Sequence, residues 1–195
     1  MPGLFVGLFP ALLPILLLSL LLYFVPHSGK HLLGTLLLGA VAAFALVFPE
    51  RYSIQLIRAS GIFGASLWTA LIPPLWEEGV KFLLLGYFYR PEYSKRLFCC
   101  IGLALALGFA SAENLWYVLN HGIATIYGRL WSGSLVHLSL GLVMASRIFR
   151  RQKTFLIAFL WHGAYNIALE QNRGGGAAVV LLLLLCYSVW QWRRS

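Results

Sequence analysis

The sequence predicts an all-α fold, a polytopic transmembrane helix bundle of about eight spans. Hydrophobic residues make up 60% of the chain and charged residues only 11%, whereas charged residues are roughly 25% of an ordinary soluble domain. Apolar runs recur between short polar breaks, and most approach the ~20 residues that a helix needs to cross the hydrocarbon core. Leu, Ala and Gly dominate these runs without the alternation of a strand. Lipid is therefore the expected solvent, and within it only helices and closed barrels satisfy the backbone.

Polar breaks divide the chain into eight predicted spans. They are 3–25, 31–48, 54–72, 74–89, 97–120, 130–149, 154–171 and 176–192. No basic residue precedes the first run and no small-residue cleavage site follows it, so we interpret it as a retained span rather than a signal peptide. The segment 54–89 would be ~54 Å long as one helix, which is too long for one crossing. Pro73 and Pro74 interrupt it, because a proline lacks the amide donor of a helix interior.

The fifth predicted span carries small residues at four-residue spacing. Gly102 and Ala106 belong to one row, and Ala104 and Gly108 belong to another. Such rows let helix backbones approach each other closely in a membrane. We therefore expect this helix to lie at the centre of the bundle. No repeat of solenoid length interrupts the spans, so residues 1–195 are predicted to form a single integral membrane domain.

The basic residues predict the orientation of the bundle. With eight spans, eleven Lys and Arg residues fall on the side that holds both termini and three on the other, and a division into seven spans gives ten and four. Lys and Arg are enriched in cytoplasmic loops, so both termini are expected in the cytoplasm and the protein in the cell membrane. The net charge of +9 then reflects loops beside the anionic headgroups of the lipid bilayer, and no nucleic-acid partner is expected.

Seven polar residues interrupt the apolar runs at membrane depth. They are Glu77, Glu78, Lys81, Glu113, His137, His162 and Asn166. An ionised side chain at mid-bilayer costs about 3 kcal/mol or more, so such residues mark functional sites. The two histidines, Glu77 and Glu113 fall on four different predicted spans. At 1.5 Å per residue all four lie roughly 5–13 Å below the non-cytoplasmic surface, and this shared layer predicts one polar site.

These side chains have the composition of a catalytic metal site. Two His and one carboxylate are the protein ligands of some hydrolytic zinc sites, which keep a fourth position for water. The three ligands expected here are Glu113, His137 and His162. Glu77 would take the proton of the bound water as it attacks a carbonyl, and Lys81, one turn later, would partly neutralise its charge. Phe109, one turn before Glu113, is expected to form a wall of the pocket.

Each of these residues also has a purely structural interpretation. Lys81 would form a helix-fixing ion pair with Glu77 or Glu78, and a buried His or Asn often only hydrogen-bonds between helices. The shared depth favours a site, because all the structural interpretations would have to hold together. The chain has no Asp, which excludes an aspartyl protease, and it has no serine motif that suits a serine protease.

Four short motifs carry a family resemblance. They are EEGVK (77–81), GFASAEN (108–114), HLSLG (137–141) and HGAYN (162–166). They resemble the E-E-x-x-K, F-x-x-x-E, H and H-x-x-x-N motifs of the PrsW family of intramembrane metalloproteases. That family is related to CaaX prenyl proteases and bacteriocin-immunity proteins, whose second motif usually ends in His where this chain has Glu113. The resemblance covers about residues 55–170.

The resemblance implies a role for each motif residue. The implied metal ligands are Glu113, His137 and His162, with Zn2+ as the expected ion and a metal-free Glu/His mechanism as the alternative. Glu77 would activate the water. Asn166 would support the site or donate to the oxyanion. Glu78 is counted among the catalytic residues, and with Lys81 it would hold its helix in place.

The expected function is that of an intramembrane endopeptidase. Its substrate would be a membrane protein that is cut in or near the non-cytoplasmic part of the bilayer, and the resemblance implies a substrate like a single-pass anti-sigma factor. A non-catalytic scaffold or immunity-type binding protein that retains the pocket is the alternative. A proton-coupled transporter is disfavoured, because a proton relay needs polar residues from one face to the other and these form one layer.

Overall fold

The computed structural model describes residues 16–26, 28–122, 125–171 and 174–194, and every regular element in this part is an α-helix. Helix α1 is helical over 16–24. The other helices are α2 (Gly29–Ala59), α3 (Ala65–Phe88), α4 (Lys95–His121), α5 (Thr125–Phe149), α6 (Phe155–Glu170) and α7 (Gly174–Arg194). The predicted all-α fold is confirmed for these residues. Residues 3–15 of the first predicted span lie outside the described part.

Four of the described helical segments are long and apolar enough to cross a membrane. They are Gly29–Ala59, Lys95–His121, Ser132–Phe149 and Gly174–Arg194. Helix α3 is outside this set and carries three charged residues, and α6 has only 16 residues. The described part of the chain contains seven helices, so the predicted count of about eight spans is not confirmed.

The helix boundary predicted at Pro73 and Pro74 is wrong. Helix α2 continues through Pro49 to its end, and α3 runs unbroken through both of its prolines. The break lies at 60–64 instead, where Gly61 and Gly64 have φ angles of 64° and 76°. This is the left-handed region, which glycine enters without the steric penalty of a Cβ atom.

A neighbouring helix explains why α3 tolerates a proline in its interior. Pro74 has no N–H to donate to the carbonyl of Ala70, four residues earlier. The side-chain amide of Asn166 on α6 donates to that oxygen over 3.4 Å. Neighbouring helices make prolines tolerable in membrane helices by satisfying the freed backbone groups in this way. A tertiary contact therefore keeps one helix where the local sequence predicts two.

Helix α4 lies at the centre of the bundle, as its small residues predict. A Cβ atom on Gly108 would lie 1.9 Å from a carbonyl oxygen of α2, and one on Gly39 of α2 would lie 2.1 Å from a carbonyl oxygen of α4. On the other face, Cβ atoms on Gly102 and on Gly141 of α5 would lie 2.8 Å and 2.7 Å from each other's carbonyl oxygens. The backbones of α2, α4 and α5 therefore touch and form the layer against which α3 and α6 place their polar residues.

Candidate active site

The predicted polar residues of four helices meet inside the bundle. They are Glu77, Glu78 and Lys81 of α3, Glu113 of α4, His137 of α5 and His162 of α6. The predicted convergence on one site is therefore seen in the structure. The predicted position of Glu77 near the start of its helix is wrong, because α3 already begins at Ala65. Glu77 lies in the middle of α3, since the helix continues through its prolines.

One oxygen of Glu78 connects α3 to α6. Glu78 Oε1 accepts a hydrogen bond from Lys81 Nζ at 2.5 Å and lies 2.8 Å from His162 Nδ1. An ionised carboxylate can only accept, so His162 donates through its Nδ1–H and keeps its ring lone pair on Nε2. Glu78 is 0% exposed. This carboxylate therefore sets the orientation and the tautomer of the His162 ring.

His137 is held between a lysine and a glutamate. Its Nδ1 lies 3.0 Å from Lys81 Nζ, and its Nε2 lies 2.7 Å from Glu113 Oε2. An ammonium can only donate, so Nδ1 accepts and Nε2–H donates to Glu113. The ring of Phe109 lies 5.6 Å from the ring of His137 and 4.5 Å from Lys81 Nζ, measured to ring centroids. Phe109 thus packs against both residues, and its role as a wall of the pocket stays a prediction.

Glu77 differs from these residues in its partners. It is only 4% exposed, yet its Oε2 atom has no hydrogen-bond partner among the described residues. That oxygen lies 4.0 Å from Lys81 Nζ, 3.9 Å from His137 Nδ1 and 3.8 Å from His162 Nδ1. A buried acceptor without a partner costs about 1–3 kcal/mol, and more when it is charged. Glu77 therefore presents a buried acceptor, near three nitrogens, to a water, a substrate or an ion.

Four buried residues can present ligand atoms to one metal ion. Ligand atoms of Glu77, Glu78, His137 and His162 all lie within 4.8 Å of one another. Imidazole nitrogens and carboxylate oxygens are ligands of zinc. Oε2 of Glu77 and Oε2 of Glu78 both lack a hydrogen-bond partner among the described residues, and an ion would supply one. The donor set therefore fits a divalent metal.

Glu113 and Lys81 stand beside this group of four. Glu113, which the sequence predicts as a ligand, contacts His137 Nε2, whereas His137 Nδ1 is the nitrogen near Glu77. A carboxylate on the second nitrogen of a metal-bound histidine fixes the orientation of its ring. Lys81 Nζ lies between Glu78 Oε1 and His137 Nδ1. The ammonium group therefore occupies part of the space that a metal ion bound to these atoms would use.

A cavity of about 80 Å³ borders the two histidines, and we call it the imidazole cavity. Its lining residues are Pro73, Glu77, Glu113, Ser132, Gly133, Val136, His137, His162, Tyr165, Asn166 and Leu169. The cavity brings both imidazoles, two carboxylates and one amide to a single space. An acceptor, a hydrogen-bond donor and candidate metal ligands can therefore act on one bound group.

Asn166 and Asn114 tie helices together around the cavity. Asn166 lies one turn after His162 and donates to Ala70 of α3, which agrees with the supporting role that the resemblance implies. Asn114 follows Glu113 and donates to Ser134 Oγ of α5 at 2.9 Å. Two side-chain amides therefore hold α3 against α6 and α4 against α5 beside the polar group.

Sequence reasoning missed Glu50. The predicted spans leave residues 49–53 in a loop, but the structure includes Glu50 in α2. Glu50 lines a second cavity that also reaches Glu77 and Glu113. One signal points to it, because the chain has only six acidic residues and three others belong to the polar site. Pro49 obscures this signal, since a proline at the end of an apolar run predicts a break there.

Comparison with known proteins assigns a family. The family described as PrsW family intramembrane metalloprotease matches residues 27–192. Similar curated proteins include Protease PrsW of Halalkalibacterium halodurans, 33% identical over 130 residues, and Protease PrsW of Geobacillus kaustophilus, 27% identical over 136 residues. The alignments cover 63% and 62% of this chain but only 59% and 60% of those proteins, so the chain spans about three fifths of their length. No solved structure matches the chain significantly.

The family match includes every residue of the polar site. It also agrees with the four described helical segments that are long and apolar enough to cross a membrane. This chain is therefore a multi-pass membrane protein, and it belongs to the PrsW family of intramembrane metalloproteases.

Proposed function

We propose that this chain is an intramembrane endopeptidase, which hydrolyses a peptide bond of a membrane protein in or near the non-cytoplasmic part of the bilayer. The observation that carries the proposal is the carboxylate of Glu77. It is buried, its Oε2 atom has no hydrogen-bond partner among the described residues, and it borders the imidazole cavity. A general base must lie within reach of a water and in surroundings that suit its charge. The curated relatives named proteases support the same conclusion.

The residues of the cavity suit a hydrolytic sequence. A water oxygen would add to the peptide carbonyl carbon while Glu77 accepts the water proton. The C–N bond would then break, and that proton would pass to the leaving nitrogen, which gives a carboxylic acid and an amine. Lys81 would balance the charge of Glu77. The amide of Asn166, which lines the same cavity, would donate to the oxyanion.

A divalent metal, with Zn2+ as the expected ion, is part of this proposal. His137 and His162 would hold it, together with Glu113 in the set that the sequence predicts, or with Glu77 and Glu78 in the group that the structure brings within 4.8 Å. When bound, the ion would polarise the peptide carbonyl and make a bound water more acidic. Hydrolysis by Glu and His without a metal is the alternative.

The charge distribution supports a site in the non-cytoplasmic half of the membrane. With the helix bounds of the structure, the end of the bundle rich in described Lys and Arg holds Lys30, Arg90, Lys95, Arg96, Arg147, Arg150, Arg151, Lys153, Arg193 and Arg194. The other end holds Arg51, Arg58 and Arg129, and cytoplasmic loops are the basic ones. At 1.5 Å per residue, Glu113 and His162 lie about 12 Å from the less basic ends of α4 and α6. Glu77 and His137 lie about 18 Å from those of α3 and α5, deeper than the sequence predicts.

The same alternation supports a cytoplasmic position for Arg194, the last described residue. If all seven described helices crossed the membrane, Leu16 and Arg194 would lie on opposite sides of it. The expectation that both termini are cytoplasmic therefore does not follow from this helix count, and it stays a prediction.

The substrate would be a membrane protein with a segment that reaches this depth, and a single-pass anti-sigma factor is the class that the family resemblance implies. The imidazole cavity measures about 80 Å³. A helix with its side chains is about 10–12 Å across, which such a cavity cannot hold. A substrate segment would therefore reach Glu77 in a locally extended form in this scheme.

Comparison of membrane proteomes tests this function. Cells would carry the wild type, Glu77→Gln, or Glu92→Gln as a control in the exposed segment between α3 and α4. The expected result is a membrane protein that is shortened in wild-type and Glu92→Gln cells and intact in Glu77→Gln cells. Sequencing the new terminus would locate the cut. Identical fragments in all three would contradict the proposal.

A non-catalytic binding protein is the second candidate. It is favoured by Lys81, whose ammonium already satisfies Glu78 and His137 at 2.5 Å and 3.0 Å, as a structural ion-pair network would. This candidate predicts that the purified protein binds a membrane protein partner without bound metal and without turnover. A shortened product in the purified system would exclude it.

A further inference from the structure

A second cavity reaches Glu77 from the side of α2 and α4. It measures about 90 Å³, and carboxyl groups from three helices line it: Glu50, Glu77 and Glu113. We call it the carboxylate cavity. His137 and His162 line the imidazole cavity and not this one. Glu77 and Glu113 line both, so the two cavities adjoin at these two side chains.

The carboxylate cavity extends toward the less basic end of the bundle. Helices α2 and α4 run parallel, since His31 at the start of α2 lies 6.2 Å from Tyr93 just before α4, measured between ring centroids, whereas Arg51 contacts Trp116 further along both helices. Ala43 and Ala112 line the deeper part of the cavity. Arg51 and Trp116 line the part nearer the ends of these helices.

An exposed charge stands at the shallow end of this cavity. Arg51 is exposed, and its guanidinium carbon lies 4.6 Å from the centroid of the Trp116 ring. This cation–π contact holds the side chain beside the cavity instead of along the lipid. The cavity thus leads from an exposed guanidinium, past the half-buried Glu50, to the buried Glu77.

Glu77 supplies separate support for a ligand in this cavity. Its Oε2 atom lacks a hydrogen-bond partner among the described residues although the residue is 4% exposed. A polar cavity needs roughly 10–15 Å³ to hold one water, and about 90 Å³ exceeds that several times. Hydrolysis consumes one water for each bond, and the surrounding hydrocarbon holds none.

We propose that the carboxylate cavity is the path by which water reaches Glu77, while the imidazole cavity receives the peptide. This inference rests on the proposed function. Arg51 donates hydrogen bonds to water at the entrance, and the carboxyl groups of Glu50 and Glu113 accept them further in, so polar groups accompany the water along the path. Glu50 is a positioning residue in this scheme, because it acts through the water and does not touch the peptide. Separate cavities allow the peptide to bind without blocking the water.

Cysteine labelling tests the path without requiring activity. The full chain is first freed of reactive thiols by Cys99→Ala, Cys100→Ala and Cys186→Ser. Ala43→Cys then reports on the cavity, Val41→Cys on the lipid-exposed face of the same helix, and Ala104→Cys on the closed core. A small, charged, membrane-impermeant methanethiosulfonate should modify Ala43→Cys at least about tenfold faster than either control, because thiol reactivity follows access.

Equal labelling rates at the three positions would overturn the path. Should Ala43→Cys fail to fold, Ala112→Cys on the facing wall makes the same measurement. Gel filtration of each variant in detergent confirms that it is folded, and the labelling is then done after reconstitution into lipid vesicles.

Filling the cavity tests its use in catalysis. Val47→Trp places an indole in the path, whereas Val41→Trp places the same indole on the lipid-exposed face of α2. Val47→Trp should lower kcat at least about tenfold with KM unchanged, because the peptide cavity is untouched and only the reacting step is affected. It should also slow the labelling of Ala43→Cys. Wild-type kcat in Val47→Trp would overturn the path.

Paired changes at Glu50 test its positioning role. Glu50→Leu removes the group that holds water, while Glu50→Gln keeps a hydrogen-bonding side chain of similar size. We expect kcat to fall in Glu50→Leu with KM unchanged and to recover in Glu50→Gln, whereas a merely structural carboxylate would show no such recovery. Wild-type kcat in Glu50→Leu would remove Glu50 from the scheme.

The two readouts separate this inference from the proposed function. If Ala43→Cys is labelled fast and the wild type cleaves no substrate, the water path stands and the endopeptidase proposal fails. If the wild type cleaves, Ala43→Cys stays unlabelled and Val47→Trp remains active, the path fails and the endopeptidase proposal stands.

Discussion

Glu77 and Glu78 are consecutive, buried residues with the same side chain, and they face two different regions of the bundle. Glu78 lies on the side where Lys81 and His162 satisfy its Oε1 atom. Glu77 lies on the side of the two cavities, and its Oε2 atom has no hydrogen-bond partner among the described residues. One residue along an α-helix is a rotation of about 100°. Position on the helix, rather than residue type, thus separates a carboxylate bonded to its neighbours from one whose Oε2 atom is left without a hydrogen-bond partner among the described residues.

The two glutamates show that a membrane protein can keep a buried carboxylate near a cation without a hydrogen bond between them. The Lys81 ammonium lies 2.5 Å from Glu78 but 4.0 Å from Glu77. The lysine therefore stabilises both carboxylates by its charge and occupies only one by a hydrogen bond. In the proposed mechanism, a base that is close to a cation yet not bonded to it remains available to a water proton, and four experiments test this division.

The largest effect is expected from Glu77→Gln. Removing a general base lowers the rate about 10²–10⁴-fold, and the amide is close in size to the carboxyl group, so the free energy of unfolding should change little. Cleavage of a purified substrate and thermal unfolding in detergent measure the two quantities. Glu92→Gln serves as the exposed control. A Glu77→Gln protein that still cleaves would end the distinction between the two glutamates.

Glu78→Ala should act mainly on stability. It leaves the buried Lys81 ammonium without its nearest acceptor and His162 Nδ1–H without a partner. Breaking a buried ion pair by removing one partner costs about 3–5 kcal/mol. Chemical unfolding of Glu78→Ala against Glu92→Ala measures the difference in unfolding free energy. A variant as stable as the control, but without cleavage, would move Glu78 from support to chemistry.

Metal binding sharpens the comparison by asking which carboxylates act as ligands. We expect the wild type to bind zinc and His162→Ala to lose it, with the exposed His121→Ala as a control. Glu113→Gln should weaken binding about 10–100-fold, because the carboxylate orients His137 from outside the ligand group. Elemental analysis and chelator competition measure this. Complete loss in Glu113→Gln would make Glu113 a ligand, and cleavage by a zinc-free wild type would favour the metal-free alternative.

The smallest effect on stability is expected from Asn166→Ala, which tests how the helix that carries both glutamates keeps its shape. Loss of the hydrogen bond to the Ala70 carbonyl should cost about 0.5–1.5 kcal/mol. In a Pro74→Ala background the cost should shrink, because residue 74 then has an N–H to donate to that carbonyl. A double-mutant cycle on unfolding free energies measures the coupling. Asn120→Ala, an exposed asparagine that bonds within its own helix, is the control, and purely additive effects would contradict the explanation.

Much of the candidate site could be predicted from the sequence, since charged and imidazole side chains are costly in lipid and stand out there. Glu77, Glu113, His137 and His162 do meet. Glu50 was missed because it follows a proline at the end of an apolar run, where the local pattern predicts a loop. The predicted break in α3 is wrong because a local pattern treats a proline as the end of a helix. The donor that satisfies the Ala70 carbonyl comes from Asn166, which is distant in sequence.

Hydropathy and residue type predict the solvent, the helical class and the side chains available for chemistry, because these properties are local and need no partner. Tertiary packing gives Glu78 its hydrogen bonds and leaves Glu77 Oε2 without a partner among the described residues. It also brings Glu113 against a histidine and Glu50 to the cavity that reaches Glu77. Those outcomes depend on the rotation of each helix and on its neighbours. Close backbone contacts such as those at Gly39 and Gly108 set that arrangement, and they form between segments far apart in the chain.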